Sequence, residues 1–340
     1  MANHQLRIIY RSNSHAPLWV VAEKSGAWAK NELDVDTSPQ LIREKAVESL
    51  KNGHVDLISG NHHNLYVRNC KNGEDFVHLA QATNNWTENK LVVRPEIRSV
   101  QELRGKKLVA DKLTSHAGLN IWLFLKQEGL DVDRGDVEMV ELRGSSEERW
   151  KRVMAGEFAG TFVTIPHDRR AEQAGARVIT VRAIPMIRGV TLTTTMSFVR
   201  QHQAEIRLLT KGFIDAIHFF LTRKQETLEI LKEHASPILK LQSEEEVETL
   251  YDEWAQSLER KPYPSLQAIS NVFQLALRRN PEISSYNPLA LWDTHFVREL
   301  DDSGYIDRLY DRVGGASDKA SSVLPHHRTY GSVSGGSSRL

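Results

Sequence analysis

The sequence has very little cysteine and no surplus of either charge. Its 340 residues include one cysteine, and 44 lysines and arginines are balanced by 44 aspartates and glutamates. A single cysteine excludes a disulfide framework and any zinc or iron–sulfur site built from several thiolates. A net charge of zero, without a run of five or six like charges, argues against a protein that works mainly as a polycation on nucleic acid or anionic lipid.

Long apolar segments are also missing. No uninterrupted apolar run is long enough to span a bilayer, and no stretch of signal-peptide kind precedes the first predicted strand, residues 6–10. We therefore expect a cytoplasmic protein without membrane insertion, or a periplasmic one if a leader has been removed. The P-loop, the Rossmann glycine fingerprint, His-Glu-x-x-His and Gly-x-Ser-x-Gly are absent too, which sets aside the chemistries that use them.

What the sequence does contain is an alternation of short apolar runs with helical patterns. This alternation predicts an α/β architecture, with helices that include Pro17–Lys30 and His116–Glu128. A chain of this length is expected to form two lobes rather than one compact core. From Gln203 the pattern is helical. The final segment, Gly314–Leu340, is rich in Ser and Gly, so we expect a disordered tail outside the core.

Several segments resemble those of a known fold family. They are Ala22–Trp28, Leu50–Leu57, Ser99–Leu108, Phe296–Leu300 and Ser303–Asp307. Together with the order of elements, they resemble the type II periplasmic-binding-protein fold. Within it they are most similar to the branch of sulfonate- and nitrate-binding proteins and thiamine-pyrimidine synthase-like enzymes.

The resemblance implies a two-lobed α/β fold with a ligand cleft between the lobes and a helical C-terminal part. Lobe one would combine residues 1–94 with 196–313, and lobe two would be residues 95–195, with crossovers near Val93–Arg94 and Thr195. The cleft would lie at the ends of strands and the beginnings of helices, where unpaired N–H groups favour an anionic ligand group. The expected partner is a small-molecule ligand, anionic or aromatic, and not a nucleic acid.

Histidines are concentrated on the loops expected to face this cleft. The candidates for acid or base catalysis are His15, His62, His63 and His116. Histidine titrates near neutrality and is the usual general acid or base, although an imidazole also serves as a simple hydrogen-bond donor. Adjacent residues on a helix point about 100° apart, so we expect one of His62 and His63 to face the cleft and leave open which one.

Polar residues on the same loops are candidates for binding the ligand. They are Ser12, Asn13, Ser14, Asn61, Thr83, Asn85, Trp86, Thr114, Ser115, Thr164, His167 and Arg188. Thr114 and Ser115 stand at a helix start, where a carboxylate or sulfonate would find donors. Trp86 either stacks on an aromatic ligand or covers the hinge. Arg188 either pairs with an anionic group or lies on the surface.

Two functions of different class remain open. The first is an intracellular enzyme on this scaffold, a lyase (decarboxylase or carbon–heteroatom cleavage) that acts on a small aromatic or heteroaromatic acid with histidine as acid or base. The second is the substrate-binding protein of an ABC importer for an aromatic, sulfonate or amine-like solute. The histidines and the missing leader favour the enzyme, whereas most members of the family bind without catalysis. No cofactor is predicted, and a metal bound by the histidines is a third alternative.

The enzymes of the branch also differ from this chain in their cysteines. The synthase-like enzymes carry a cysteine-rich run that is missing here. The sulfinate desulfinase of the branch uses a cysteine on the first loop, where this chain has Ser12, Asn13 and Ser14. If the chain is an enzyme, its chemistry therefore does not depend on a cysteine nucleophile at that loop.

Deletion of Gly314–Leu340 tests the expected tail. A segment with few apolar residues buries little surface, so the melting temperature and ligand binding of the truncated chain should equal those of the full chain. Differential scanning fluorimetry of both proteins measures this. A fall of several degrees on truncation would instead mean that the tail docks on the body of the protein.

Overall fold

A computed structural model of the chain contains two five-stranded sheets and a large helical part. It describes residues 5–10, 12–38, 45–60, 62–86 and 90–314, apart from the side chains of Arg188 and of residues 312–314. Of the expected tail, only Gly314 lies within these ranges, as the last residue of a helix. Among the described residues, no helix is long and apolar enough to cross a membrane.

The strands and helices follow one another in α/β order. The strands are β1 (Leu6–Tyr10), β2 (Val35–Asp36), β3 (Leu57–Ser59), β4 (Phe76–Trp86), β5 (Lys90–Val93), β6 (Lys107–Ala110), β7 (Glu138–Glu141), β8 (Gly160–Val163), β9 (Arg177–Ile179) and β10 (Ile184–Thr195). The α-helices are α1 (Ala16–Lys24), α2 (Ala27–Lys30), α3 (Ala46–Lys51), α4 (His63–Asn72), α5 (His116–Gln127), α6 (Ser146–Met154), α7 (His167–Gln173), α8 (Met196–Gln201), α9 (Gln203–Thr222), α10 (Lys224–Ile230), α11 (Ser236–Leu239), α12 (Glu244–Ser257), α13 (Leu266–Leu277), α14 (His295–Asp302) and α15 (Tyr305–Gly314).

The first sheet has the order β2-β1-β3-β10-β4. Strand β1 is parallel to β2 and β3, because each is reached through a helical crossover. Strand β10 runs antiparallel between β3 and β4. Its threonines suit a strand because β-branched side chains pack well on a pleated surface. Thr191, Thr193 and Thr194 are fully buried, so each hydroxyl needs a partner inside the protein.

The second sheet has the order β7-β6-β8-β5-β9. Strand β6 is parallel to β7 and β8, whereas β5 is antiparallel to β8 and β9. Strand β6 ends at Ala110, and the chain then begins α5 at His116. Ser115 caps this helix by accepting a hydrogen bond from the N–H of Gly118 (3.1 Å), as expected of a serine at a helix start.

Two strands belong to a different sheet from the one that the expected lobe boundaries imply. Strand β5, Lys90–Val93, was expected in lobe one and belongs to the second sheet. Strand β10, Ile184–Thr195, was expected in lobe two and belongs to the first sheet. The chain therefore changes sheet before residue 90 and before residue 184. The pattern of a short apolar strand indicates that it is buried, but the partner strands decide which sheet it joins.

The helix expected over Pro17–Lys30 is divided in two. Gly26 has a φ of +75°, in the left-handed region, and ends the first helical segment before α2 begins. The short second segment brings Trp28 against α9, where a Cβ at Gly212 would lie 2.8 Å from the Trp28 ring. A glycine in the middle of α9 is therefore required by close packing.

The helices after Gln203 cover the first sheet and do not form a separate core. Phe213 and Ile217 of α9 belong to the same buried cluster as Leu6 and Ile8 of β1. Helix α13 packs on β10, and its Asn271 donates from Nδ2 to the carbonyl oxygen of Pro185 (2.7 Å). The C-terminal part is thus anchored on the strand that returns from the second sheet.

Apolar packing and ion pairs connect the parts that carry the two sheets. Trp86 of β4 is 1% exposed, and its ring centroid lies 6.3 Å from that of Phe124 on α5 and 5.8 Å from that of Phe162 on β8. Arg170 of α7 donates two hydrogen bonds to Glu246 of α12 (3.0 and 3.1 Å). These contacts join β4 and α12 to α5, β8 and α7.

Trp86→Ala tests whether this tryptophan packs in the core or serves a ligand. Removal of a fully buried tryptophan between two aromatic rings should lower the free energy of unfolding by about 3–5 kcal/mol. Urea denaturation measures the change, with Leu266→Ala as the control, since Leu266 is 72% exposed and should change stability by no more than about 0.5 kcal/mol. Unchanged stability together with weaker ligand binding would show that Trp86 serves the ligand instead.

Candidate functional site

Five histidines from four points of the chain, His15, His62, His63, His78 and His116, form one cluster. Their ring centroids are 4.9 Å apart for His62 and His116, 5.7 Å for His63 and His116, and 6.0 Å for His62 and His78. His15 is an electrostatic neighbour of His62, as are the other three. Since His116 begins α5 after a strand of the second sheet, whereas the others follow or belong to strands of the first, the cluster joins both halves. We call these five residues the histidine cluster.

Strands β1 and β3 place His15 and His62 by ending beside each other. His15 closes a short 3-10 helix after β1, and its Nδ1 lies 3.0 Å from Oγ of Ser59, the last residue of β3. Gly60 follows with a φ of +92°, and a Cβ there would lie 2.9 Å from Cε1 of His15. Only glycine fits both this conformation and this close approach.

Strand β10 supplies hydroxyl partners to two of the imidazoles. Oγ1 of Thr191 lies 2.8 Å from Nε2 of His62, and Oγ1 of Thr193 lies 2.8 Å from Nδ1 of His78. His78, Thr191 and Thr193 were not among the candidates predicted from the sequence. The signal in the sequence is a histidine within the apolar beginning of β4, together with threonines at alternate positions of β10.

Burial keeps two rings of the cluster, His62 and His78, uncharged at neutral pH. His62 is 6% exposed and His78 is 1% exposed. Burial lowers the pKa of His78 from 6.5 to about 3. Burial also lowers the pKa of His62 well below 6.5, and the neighbouring imidazoles lower it further because a charge on one ring disfavours a charge on the next. The two deeply buried rings are therefore neutral donors and acceptors of hydrogen bonds.

The histidines do not have the arrangement of a metal centre. Across the described ranges, no group of three or more His, Cys, Asp or Glu side chains is placed so that it could hold a metal ion. The electrostatic neighbours of His62 are imidazoles, with no carboxylate among them.

His167 and Thr164 lie apart from the histidine cluster. His167 is the first residue of α7, is partly buried, and is not among the ring contacts or electrostatic neighbours of His62. Burial lowers the pKa of His167, and the nearby guanidinium of Arg170 lowers it further. Its backbone N–H donates to the carbonyl oxygen of Thr164 (2.9 Å), which forms the turn into the helix.

The hydroxyl of Ser115 is used within its own helix start. It donates to the carbonyl oxygen of Lys112 (2.7 Å) and accepts from the N–H of Gly118 (3.1 Å). Neighbouring Thr114 is exposed and lines an open cavity of about 360 Å³. The lining of this cavity is formed by Leu113, Thr114, Leu119, Asp133, Arg278 and Arg279. The cavity therefore opens at the same helix start as His116, without a histidine among these lining residues.

The polar residues of the first loop bind one another and the C-terminal helices. Oγ of Ser12 caps the 3-10 helix by accepting from the N–H of Ser14 (3.3 Å) and lies 2.8 Å from Oγ of Ser14. Asn13 donates from Nδ2 to the carbonyl oxygen of Ile238 (3.3 Å). Ligand contact by these residues stays a prediction.

The remaining candidates lie along β4 and β10. Trp86 is part of the core described above. Thr83 is buried, and a Cβ at Gly189 would lie 3.0 Å from its Oγ1. Asn85 is partly buried and pairs with Pro185 in the ladder with β10. The side chain of Arg188 and the whole of Asn61 lie outside the described residues, so their ligand contacts also stay predictions.

The sequence itself matches a family model. The model of NMT1/THI5-like proteins covers residues 12–227, more than half of the chain. The chain belongs to the NMT1/THI5-like family. The match includes the segments that carry four histidines of the first sheet and His116. No curated protein sequence matches the chain.

Solved structures agree with this family in fold. The sulfonate-binding protein SsuA of a Methylobacillus flagellatus KT sulfonate ABC transporter is 15% identical with a TM-score of 0.69, over 90% of this chain and 96% of that one. The aliphatic sulphonate-binding protein SsuA of Escherichia coli is 17% identical with a TM-score of 0.65, over 85% and 96%. A mutant of the enzyme DSZB in complex with biphenyl-2-sulfinic acid is 13% identical with a TM-score of 0.63, over 88% and 99%.

These likenesses confirm the expected fold. The chain has the two-lobed type II periplasmic-binding-protein fold of the sulfonate- and nitrate-binding branch. This scaffold hosts binding proteins and an enzyme alike, so the fold by itself does not choose between the two functions.

The pKa of His78 gives a testable pH dependence. Below pH 6.5 the unfolded chain takes up a proton at this residue, whereas the folded chain does not until about pH 3. Stability that is present above pH 6.5 is therefore lost as the pH falls, by about 2 kcal/mol between pH 7 and pH 5. His78→Asn, which keeps a donor for Thr193, should lose about 2 kcal/mol less than the wild type over this interval.

Urea denaturation at the two pH values measures this difference. His54→Asn is the matched control, because His54 is exposed and its replacement should leave the wild-type pH dependence in place. Equal losses in the wild type and in His78→Asn would contradict the neutral, buried state of His78.

Proposed function

We propose that this member of the NMT1/THI5-like family is a solute-binding protein that holds a small aromatic, sulfonate or amine-like molecule at the histidine cluster without transforming it. The observation that carries the proposal is the meeting of five imidazoles from both halves of the fold. A ligand at this point touches both halves at once. On this proposal the partner of the protein is an ABC importer and its location is periplasmic, as the names of the SsuA relatives suggest.

The position of His116 supports a binding role. It is the first residue of α5, where unpaired N–H groups and the helix dipole favour a polar ligand group. Its ring is 4.9 Å from His62 and 5.7 Å from His63, and His63 and His116 are both only partly buried. A ligand that enters between the halves can therefore contact these rings first.

The neutral state of the deep imidazoles also favours binding over proton transfer. An efficient general acid or base has a pKa near the working pH. The pKa of His78 is about 3, and that of His62 is well below 6.5. At neutral pH neither ring carries the second proton of an imidazolium, which is the proton that a histidine gives away as an acid, and both rings are weak bases. Both rings remain good partners for hydrogen bonds.

The second candidate function is the lyase of the sequence analysis. It is favoured by the likeness to DSZB, which is a desulfurization enzyme on the same fold, and by the partly buried rings of His63 and His116. In that case these two rings, or His15, would act as the acid or base on a small aromatic acid, because the deep rings do not suit this role.

Incubation with candidate solutes separates the two functions. Benzoate, benzenesulfonate and aniline represent the aromatic acid, the sulfonate and the amine. We expect at least one of them to raise the melting temperature, since a ligand that binds only the folded state stabilises it, by about 2.7 kcal/mol at a hundred times its Kd. We also expect mass spectrometry to recover that compound unchanged after prolonged incubation.

A pair of single variants tests whether the ligand binds at the histidine cluster. His116→Ala should weaken binding of that compound about fivefold, as expected for the loss of one hydrogen bond of about 1 kcal/mol. His54→Ala, at an exposed histidine, should bind as the wild type does. Formation of several equivalents of product per protein would contradict the binding role and support the lyase. Unchanged binding in His116→Ala would mean that the ligand binds elsewhere.

A further inference from the structure

The hydroxyl of Thr193 determines which nitrogen of His78 carries the proton. It donates to the backbone carbonyl oxygen of Gly60 (3.0 Å) and lies 2.8 Å from Nδ1 of His78. A carbonyl oxygen only accepts, so the single proton of the hydroxyl is used on Gly60. The oxygen of Thr193 must then accept a proton from His78. His78 is therefore protonated on Nδ1, and its Nε2 keeps a lone pair.

A longer chain of hydrogen bonds determines which nitrogen of His62 carries the proton. Nε2 of Gln81 donates to the carbonyl oxygen of Thr83, which orients the amide so that Oε1 faces Thr191. Oε1 only accepts, so the hydroxyl of Thr191 gives it its proton. Oγ1 of Thr191 must then accept from Nε2 of His62 (2.8 Å). The lone pair of His62 is therefore on Nδ1.

We propose that Gln81, Thr191 and Thr193 act as positioning residues that hold His62 and His78 in opposite tautomers, each with a lone pair on its other ring nitrogen, so that the histidine cluster selects a ligand that donates an N–H or O–H group. The ligand class is then an amine, an amide or a hydroxyl compound, rather than a fully ionised sulfonate. This inference rests on the proposed function, because it takes the cluster to be the ligand site.

The surroundings of His78 support this inference, because one of its ring nitrogens lacks a hydrogen-bond donor. Its Nε2 is buried and has no hydrogen-bond partner among the described residues, in a side chain that is 1% exposed. A buried acceptor without a partner costs about 1–3 kcal/mol, so a donor from a ligand would be favourable here. A sulfonate at neutral pH carries only acceptor oxygens and would leave this nitrogen unsatisfied.

The charges around His62 agree with this selection. Among the described side chains, which do not include that of Arg188, its electrostatic neighbours are His15, His63, His78 and His116, with no lysine or arginine among them. The deeply buried rings are neutral for the reason given above. An anion placed against them would lose its hydration without gaining a cation in return. A neutral donor loses less hydration and finds acceptors.

Nuclear magnetic resonance of protein labelled with ¹⁵N-histidine tests the tautomers. Two-bond ¹H–¹⁵N correlations distinguish a ring protonated on Nε2 from one protonated on Nδ1, and the variants His62→Gln and His78→Gln assign the two signals. At neutral pH we expect the Nε2–H pattern for His62 and the Nδ1–H pattern for His78. The opposite pattern for either ring in the wild type would overturn the inference, whatever the protein binds.

Variants of β10 test whether the threonines hold these states. Thr191→Val should change the pattern of His62 alone, and Thr193→Val that of His78 alone, because valine keeps the shape but removes the acceptor. Thr194→Val is the matched control. Thr194 is equally buried on the same strand, and its hydroxyl donates to the carbonyl oxygen of Asp56 (2.7 Å). A loss of either histidine pattern in the control alone would overturn the positioning role.

Matched probes test the ligand class. In anisole and in N,N-dimethylaniline, methyl groups replace the donor hydrogens of phenol and aniline, and benzenesulfonate supplies the anion. We expect phenol or aniline to bind about tenfold or more tightly than its capped partner and than benzenesulfonate. Thr191→Val should reduce this ratio towards one, whereas Thr194→Val should keep it.

The outcomes separate this inference from the proposed function. Tighter binding of benzenesulfonate than of phenol and aniline would overturn the donor class and leave the solute-binding function in place. If none of the five probes binds, both the proposed function and the donor class are contradicted. The tautomer spectra then still decide the positioning role, since they need no ligand.

Discussion

The need of buried imidazoles for hydrogen-bond partners ties the fold of this protein to its candidate site. His62 and His78 are almost completely buried, and their partners are the hydroxyls of Thr191 and Thr193 on β10. Strand β10 returns from the second sheet and runs antiparallel between β3 and β4. If it were displaced by one residue, its side chains would exchange faces and both rings would lose their partners. Helix α13 packs on the same strand. The positions of the sheet, the histidine cluster and α13 therefore all depend on the register of β10.

The chemistry of the cluster follows from its burial more than from the number of its histidines. Isolated histidines titrate near neutrality and suggest acid–base catalysis. Burial without a neighbouring carboxylate removes that property from the two deepest rings and leaves them as neutral hydrogen-bonding groups. Membership of the NMT1/THI5-like family fixes the scaffold, and this scaffold carries both binding proteins and an enzyme. The protonation state of particular rings is therefore the property that separates the two.

Much of the fold could be predicted from the sequence, because it depends on local patterns. The helix that begins at His116 has a serine cap and an apolar face, and the short strands are apolar runs between turn residues. The errors concern which distant segments meet. Strand β5 was expected in lobe one, but its hydrogen bonds go to β8 and β9 of the second sheet. The composition of a strand does not show which distant strand it pairs with.

The sequence by itself determined the two-lobed α/β fold and the placing of His15, His62, His63 and His116 shortly after strands, since both depend on local patterns. Only the tertiary structure decided that His78 joins them, that Ser115 uses its hydroxyl within its own helix start, and that Trp86 lies in the core. The reason is physical. A residue type states which hydrogen bonds and charges are available, but burial and neighbouring strands decide which of them are used.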